Sequence, residues 1–354
     1  MKVIAYNIII SLILETVLLQ LNYGSSIMFD YINNLHKLEN TSELFEENNT
    51  EIYNYCPSVI KDKNIYHTFY CSNKNNGIIK DYIYYTKSIE IQDNIYYTDK
   101  IQVLAPSKNG WDSEHVCDPS VIEGNFVYNN KSYKYLMAYL GCNTKDNQQN
   151  KIGLAVSNDL EKDWEKVGDS PFIDFYYNYD KQNYFQWGIG QPSLLNYNDY
   201  IIIFYTQGTW NLTSTIAEIW DLQDLNNPIK IDKFTISNNG TNDFISNADF
   251  ALKDNYIYMI CDKHPFEGNV LNNIPNASYI YKTKMSDIND LKNCNWEYVE
   301  NISLINSGYN KNHNTCLIKN NKGEFQDSIL YTSATEKNTF LNSLWTYRIK
   351  KYDL

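Results

Sequence analysis

Residues 111–122, WDSEHVCDPSVI, place side chains capable of proton transfer just before a short β-branched run. Glu114, His115 and Asp118 could give or take protons, and Trp111 could stack on a sugar ring. Glycosidic bonds are hydrolysed by paired carboxyl groups, one protonated and one ionised. The segment therefore predicts the rim of a functional pocket. The alternative is that it forms only the polar lip of a core strand.

The elements that must position this segment belong to a repeat of roughly 60 residues. Each unit opens with a short apolar strand after a polar residue, then adds a tyrosine-rich strand, a third strand and often a fourth led by tryptophan. The five openings are CPSVI (56–60), DPSVI (118–122), QPSLLNY (191–197), DFALK (249–253) and NTCLIK (314–319). Such strands, separated by Asn, Asp and Gly, predict antiparallel sheets. We therefore predict an all-β protein, a five-bladed β-propeller over residues 53–354. The fifth unit shows only three strands, and the N-terminal segment 27–52 is predicted to supply its fourth.

In a propeller the first strand of each blade lines the central channel. The alignment of the units predicts that five residues face this axis: Cys56, Asp118, Gln191, Asp249 and Asn314. Gln191 and Asn314 are candidate substrate-binding residues. His115, Trp187 and Trp210 are further candidates for binding sugar, because they lie at strand ends that open on one face.

Composition narrows the function classes. The 354-residue chain is 43% hydrophobic, so it can bury a large core. Its net charge is −12 and Arg348 is its single arginine, which argues against nucleic acid as a partner and against guanidinium clamps for phosphate or sialic acid. The apolar run after Lys2 ends at the small residues GSS (24–26) and predicts a signal peptide over residues 1–26. We therefore expect a secreted protein with no stable membrane span.

The seven cysteines agree with an oxidising compartment. Cys56 and Cys71 fall at the same end of the first unit, and Cys117 and Cys142 stand in a similar relation in the second. Two cross-strand disulfides are therefore plausible, and buried thiols are the alternative. No histidine and cysteine spacing is typical of a zinc site.

Three segments carry a resemblance: CDPSVI (117–122), SNDLEKDW (157–164) and NHNTCLIK (312–319). With the five units, they resemble the propeller glycosidase superfamily of arabinanases, levansucrases and invertases, closest to glycoside hydrolase family 43. The resemblance implies hydrolysis of arabinosides and xylosides with inversion, using a base aspartate in the first blade, an orienting aspartate in the second and an acid glutamate in the third. It also implies a fifth-blade histidine that holds a calcium ion or a water on the axis.

This sequence keeps only part of that pattern. Asp118 matches the second-blade aspartate and His313 the fifth-blade histidine, which makes His313 the candidate metal ligand. Cys56 stands where the base belongs, and Gln191 where the acid belongs. Other acids would have to act, and the candidates are Glu114 as proton donor and Asp249 as base, with Glu218 as a further acid.

The function predicted from the sequence is that of a secreted, monomeric, carbohydrate-active protein. It would be a glycoside hydrolase of arabinosidase or xylosidase type with a non-standard acid set, acting on a plant-type polysaccharide or oligosaccharide. No cofactor is required, and a calcium ion on the axis is the one that the resemblance suggests. The alternative is a propeller that binds glycan without cutting it, having lost the catalytic acids.

Overall fold

The structure is a computed structural model that describes residues 35–38, 42–92, 94–175, 187–209, 212–241, 244–263 and 274–354. The predicted signal peptide and Trp210 lie outside these ranges. Strands dominate the described residues. The helices are a 3-10 turn at Ile288–Lys292 and two short α-helices, α1 (Leu304–Ser307) and α2 (Phe340–Leu344). None of the described helices has the length and apolar character needed to cross a membrane.

Five antiparallel units follow one another along the chain, as the repeat predicts. Unit one contains β2 (Asn54–Asp62), β3 (Ile65–Asn73), β4 (Asp81–Ile91) and β6 (Ile101–Leu104), with β5 (Asn94–Tyr97) and β1 (His36–Lys37) at its edge. Unit two contains β7 (His115–Tyr128), β8 (Lys131–Cys142), β9 (Lys151–Ser157) and β10 (Glu165–Lys166). Unit three contains β11 (Gly188–Tyr197), β12 (Tyr200–Thr209), β13 (Leu212–Asp221) and β14 (Ile229–Thr235). Unit four contains β15 (Asp249–Lys253), β16 (Tyr256–Asp262), β17 (Ser278–Lys284) and β18 (Glu297–Ile302). Unit five contains β19 (Lys311–Asn320), β20 (Phe325–Ala334) and β21 (Arg348–Asp353).

The middle strands are buried on both faces, because each sheet packs against two neighbours. This explains continuous apolar runs such as YIIIFYT in β12, where a one-sided sheet would alternate. Outer strands such as β14 are largely exposed. Separate apolar clusters fill the seams between units one and two, two and three, three and four, four and five, and five and one. The five units therefore close into a ring, and the predicted five-bladed propeller is confirmed.

A ring of hydrogen bonds ties the innermost strands together. In each of units one to four, one side chain accepts a hydrogen bond from a backbone N–H of the next unit. The four pairs, acceptor first, are Ser58 with Val121 (3.3 Å), Ser120 with Leu194 (2.9 Å), Ser193 with Phe250 (3.1 Å) and Asp249 with Leu317 (2.8 Å). Between units five and one, a short parallel pairing of β19 with β2 closes the circle. Each seam thus has a polar link as well as an apolar core.

The described part of the N-terminal segment contacts units one and five. β1 pairs with β5 at the edge of unit one, and among the described residues no regular fourth strand joins unit five. Residues 42–53 instead run beside β21. The N–H of Lys351 donates to the carbonyl of Ser42 at 2.6 Å, and the guanidinium of Arg348 donates to the carbonyls of Glu47 and Ile52. The single arginine of the chain is therefore a structural clamp.

The predicted disulfide pairs are also corrected. Cys71 of unit one is bonded to Cys117 of unit two, with a Cα–Cα distance of 5.2 Å, and the other five cysteines form no disulfide. The strand register explains the difference. Cys117 lies opposite Leu140 rather than Cys142, and Cys56 falls in a bulge of β2. The bridge therefore joins two blades rather than two strands of one blade.

Candidate functional site

The inner strands share a local distortion that creates the site. In each unit one residue adopts a left-handed backbone conformation: Cys56 (φ 48°), Asp118 (φ 47°), Gln191 (φ 51°), Asn247 (φ 48°) and Asn314 (φ 45°). In units one, two, three and five this residue lies in a β-bulge. Such strain costs free energy outside glycine and often marks functional sites. In unit four the left-handed residue is Asn247, two residues before Asp249, although Asp249 also lines the axial cavity as predicted.

These five residues line one cavity on the propeller axis, as the sequence predicts for four of them. The cavity has a volume of about 40 Å³. One water needs at least about 10–15 Å³ by a comparable measure, so the cavity takes a few waters but no sugar ring. A sugar would therefore have to bind on the propeller face above it.

Asp118 is a carboxylate that lines the axial cavity. It is 8% exposed, and it accepts hydrogen bonds from the Cys56 thiol and the Gln191 N–H, while its own N–H donates to Cys71 Sγ at 2.8 Å. Burial raises the pKa of Asp118 to about 6. The negative charge of Asp81 also raises this pKa, whereas the interactions with Cys56 and Gln191 lower it. Asp118 is therefore ionised at neutral pH yet able to accept a proton.

A buried carboxylate–imidazole pair joins units one and two, and the charge of its aspartate, Asp81, acts on Asp118. Nδ1 of His115 is 2.7 Å from Oδ2 of Asp81, and both side chains are buried. Burial lowers the pKa of His115, but the hydrogen bond and charge of Asp81 outweigh burial and raise the pKa above its ordinary value. Nε2 of His115 has no hydrogen-bond partner. The pair is thus a buried proton donor with one unused nitrogen.

Asp262 is a site residue that sequence reasoning missed. It ends β16, it accepts hydrogen bonds from the Asn247 amide, the Ser278 hydroxyl (3.1 Å) and the Asn314 N–H (3.0 Å), and its charge acts on Cys56. Burial raises the pKa of Asp262 to about 7, although these hydrogen bonds lower it. The sequence offered one signal for this role, namely that Asp262 ends the second strand of its unit. In three other units a residue near the end of that strand accepts a hydrogen bond from the N–H of the bulge residue in the next unit: Cys71, Thr206 and Thr332.

The other predicted acids are each paired with lysine. Oδ1 of Asp249 lies 2.7 Å from Nζ of Lys319 and accepts the Ser193 hydroxyl at 2.6 Å, so this carboxylate joins three units. Glu114 lies 3.9 Å from Nζ of Lys80 and does not line the cavity. Both carboxylate oxygens of Glu218 are held by lysines, each at 3.1 Å, on the outer strand β14. These positions favour structural roles for all three.

The predicted tryptophans separate into packing and rim residues. Trp111 stacks on Tyr139 at 5.8 Å between ring centroids, inside the seam of units one and two. Trp187 is partly exposed and packs over Cys56 and Leu140, next to the disulfide. Trp187 is therefore the described tryptophan best placed for stacking on a sugar.

The residues around the axis do not fit a calcium ion. His313 is buried, its Nδ1 contacts Asn314, and its ring packs edge-on against Tyr347 at 4.7 Å. Burial lowers the pKa of His313 to about 4, so the ring is neutral. Calcium prefers six to eight oxygen ligands, and the carboxylates lining the cavity are Asp249, held by Lys319, and Asp118. An axial water fits this set of residues better.

Four buried polar atoms of the described site lack partners: Nε2 of His115, Oε1 of Gln191, Nε2 of His313 and Oγ1 of Thr315. Buried polar groups are nearly always hydrogen-bonded, so each orphan needs an explanation. They come from units two, three and five, and those of Gln191 and Thr315 belong to residues that line the axial cavity. Together they can donate to and accept from the hydroxyl groups of a ligand.

The raised pKa values predict how stability depends on pH. Asp118 and Asp262 bind protons more tightly in the folded state than in the unfolded state. Their contribution to the free energy of unfolding is therefore complete below the unfolded pKa near 4, and it is lost as the pH rises through about 6 for Asp118 and about 7 for Asp262. Each contributes on the order of 3 kcal/mol. The urea concentration at the unfolding midpoint should fall with rising pH between about pH 4 and pH 8. This fall should be less steep for the Asp118→Asn, Asp262→Asn double variant than for wild type. Equal slopes would contradict the assigned burial.

Comparison with known proteins finds likeness in structure alone. No family profile matches the sequence, and no curated protein matches it. A family 117 glycoside hydrolase of the marine bacterium Zobellia galactanivorans superposes with a TM-score of 0.60 at 14% identity, covering 90% of each chain. A family 43 endo-arabinanase of Bacillus licheniformis gives 0.54 at 15% identity, covering 87% of this chain and 95% of that one.

A family 43 β-xylosidase/α-arabinofuranosidase from a compost metagenome, described with xylotriose in a calcium-free form, gives a TM-score of 0.56 at 12% identity. It covers 90% of this chain and 95% of its own. The chain therefore has the propeller fold of these glycoside hydrolases over nearly its whole length.

Proposed function

We propose that this protein is a secreted glycoside hydrolase that cleaves a plant-type polysaccharide or oligosaccharide, as a monomer, on the propeller face above the axial cavity. One observation carries the proposal. The buried Asp81–His115 pair has an unused nitrogen, and it lies near an axial carboxylate whose pKa is about 6. The likeness in fold to glycoside hydrolases also supports a carbohydrate substrate, although fold alone does not establish function.

The chemistry needs one proton donor and one base. His115, protonated at Nε2, donates its proton to the glycosidic oxygen as the bond to the anomeric carbon breaks. Asp118, ionised, takes a proton from the attacking water. Asp81 stabilises the imidazolium through Nδ1. The two groups would thus replace the acids missing at Cys56 and Gln191.

The orphan atoms and Trp187 would bind the sugar. Oε1 of Gln191 accepts a hydroxyl proton, and neutral His313 can accept or donate at Nε2. Trp187 offers an apolar face beside the disulfide cluster. Asp262 would keep Asn247 and Asn314 in place rather than contact the substrate.

The proposal predicts the pH dependence of catalysis. Activity should rise as Asp118 ionises at about pH 6 and fall as His115 loses its proton at a pKa above its ordinary 6.5. We expect His115→Gln to lower kcat by about 10²–10⁴-fold and to remove the alkaline limb of the profile. Aryl glycosides whose leaving groups need no proton should be affected less than natural glycans.

The experiment is release of reducing sugar from arabinan, xylan and aryl pentosides, with glycan binding measured on the same preparations. Turnover in wild type that falls in His115→Gln supports the proposal. An unchanged alkaline limb in that variant would reject His115 as the donor.

A second function, glycan binding without hydrolysis, is favoured by one specific observation. The base and acid positions of the family hold Cys56 and Gln191, and the other predicted acids are held by lysines or lie off the axis. Binding by wild type with no turnover on any substrate would favour this function. Binding should then depend on Trp187 and Gln191 rather than on His115 protonation.

A further inference from the structure

Three cysteines and one carboxylate meet beside the axial cavity. The sulfur atoms of Cys56, Cys71 and Cys117 and a carboxylate oxygen of Asp118 all lie within 4.8 Å of one another. Cys71 and Cys117 are bonded, whereas Cys56 is a thiol. The exposed fractions of the three cysteines are only 7%, 0% and 3%, respectively.

The position of Cys56 matches what thiol–disulfide exchange requires. Exchange needs a thiolate that can reach one sulfur of a disulfide, with the other sulfur as leaving group. Cys56 follows Tyr55, the cross-strand partner of Cys71, and although the bulge takes Cys56 out of this pairing, its sulfur stays within 4.8 Å of Cys71 Sγ. A Cys56–Cys71 bond would join two strands of unit one, whereas the Cys71–Cys117 bond joins two units.

Asp118 is placed to move the proton. Its carboxylate accepts a hydrogen bond from the Cys56 thiol, and its Oδ1 is 3.1 Å from Cys117 Sγ. Burial raises the pKa of the Cys56 thiol, so few thiolates stand ready and a neighbouring base is needed. The same carboxylate thus touches both the attacking and the leaving sulfur.

We propose that Cys56, Cys71, Cys117 and Asp118 form an internal thiol–disulfide exchange site. Cys56 passes its proton to Asp118 and attacks Cys71 Sγ. The Cys56–Cys71 bond forms, the Cys71–Cys117 bond breaks, and Cys117 leaves as a thiolate that takes the proton from Asp118. One disulfide and one thiol exist before and after, so no oxidant or reductant is consumed. The product frees unit two from its covalent link to unit one.

This exchange does not depend on the carbohydrate proposal. The surroundings favour exchange among these three sulfurs over reaction with external thiols, because Leu140, Tyr55 and Trp187 cover the cluster. The other thiols, such as Cys142 and Cys316, lie outside the set of sulfurs within 4.8 Å.

The test is disulfide mapping of the full-length protein without alkylation. The folded protein is held at neutral pH, then acidified, which protonates thiols and stops exchange, and is digested with pepsin for mass spectrometry. We expect both Cys71–Cys117 and Cys56–Cys71 peptides in wild type, in a ratio that relaxes to a new value after a pH jump. Asp118→Asn should slow this relaxation by at least tenfold.

Two variants keep the test sharp. Cys117→Ser should contain the Cys56–Cys71 bond, and Cys142→Ser, the control, should map like wild type. If wild type yields only Cys71–Cys117 peptides at every pH and time, the proposal is overturned. It is also overturned if Cys117→Ser retains two thiols at Cys56 and Cys71.

Discussion

Asp118→Asn is expected to lower turnover by about 10²–10⁴-fold while leaving the fold intact. Asparagine is nearly isosteric with aspartate and tolerates the left-handed backbone at φ 47°. The amide can still fill the space beside Cys56 and Gln191, but it cannot take a proton from water. Initial rates on the best substrate of the panel, with circular dichroism and a melting curve for each variant, measure the effect.

A matched control exists on the protein surface. Asp327 also has a left-handed backbone, at φ 54°, and it pairs with Lys253 in solvent. Asp327→Asn should change turnover little and stability by less than about 0.5 kcal/mol. If the turnover of Asp118→Asn equals that of the control variant Asp327→Asn, Asp118 is not the base and the proposed mechanism fails.

Asp249→Ser is expected to lower the free energy of unfolding by about 3–5 kcal/mol. The side chains of Asp249 and Lys319 are only 12% and 10% exposed, so removing the carboxylate leaves an ammonium group without its counter-ion in the interior. Serine is the informative replacement, because Ser58, Ser120 and Ser193 hold the same ring position in units one to three. Urea unfolding followed by tryptophan fluorescence measures the loss.

The double variant Asp249→Ser, Lys319→Met isolates the charge. The serine hydroxyl can still accept the Leu317 N–H, and methionine fills the space of the lysine stem without a charge. We expect this variant to recover most of the lost stability. A double variant as unstable as Asp249→Ser alone would mean that the carboxylate acts through its hydrogen bonds to Ser193 and Leu317.

The repeat in the sequence was sufficient to predict the ring, because each unit carries the same order of apolar strands and turn residues. CPSVI, DPSVI and QPSLL mark three bulges directly, since proline follows the left-handed residue in each. Unit four has no such proline, and its bulge residue, Asn247, could not be distinguished from the many other asparagines of the chain. This is why Asp249 was placed two residues out of register.

The strand pattern of the sequence did not predict the side-chain contacts between blades. The Cys71–Cys117 bond, the Asp81–His115 pair and the Asp249–Lys319 pair each join residues of different units. Strand periodicity predicts neighbours within one sheet but not which side chains meet across a seam. The sequence therefore located the axis and Asp118, while the partners that set the protonation of the site required the structure.

The seam between units five and one bears on how the chain reaches its folded state. Unit one is synthesised first, but the strand that covers its inner edge, β19, belongs to the last unit. Unit one must therefore wait for nearly the whole chain, with apolar side chains and an unpaired edge exposed to other molecules. Such long-range pairing slows folding. We expect chains that end before unit five to aggregate rather than accumulate as partial rings.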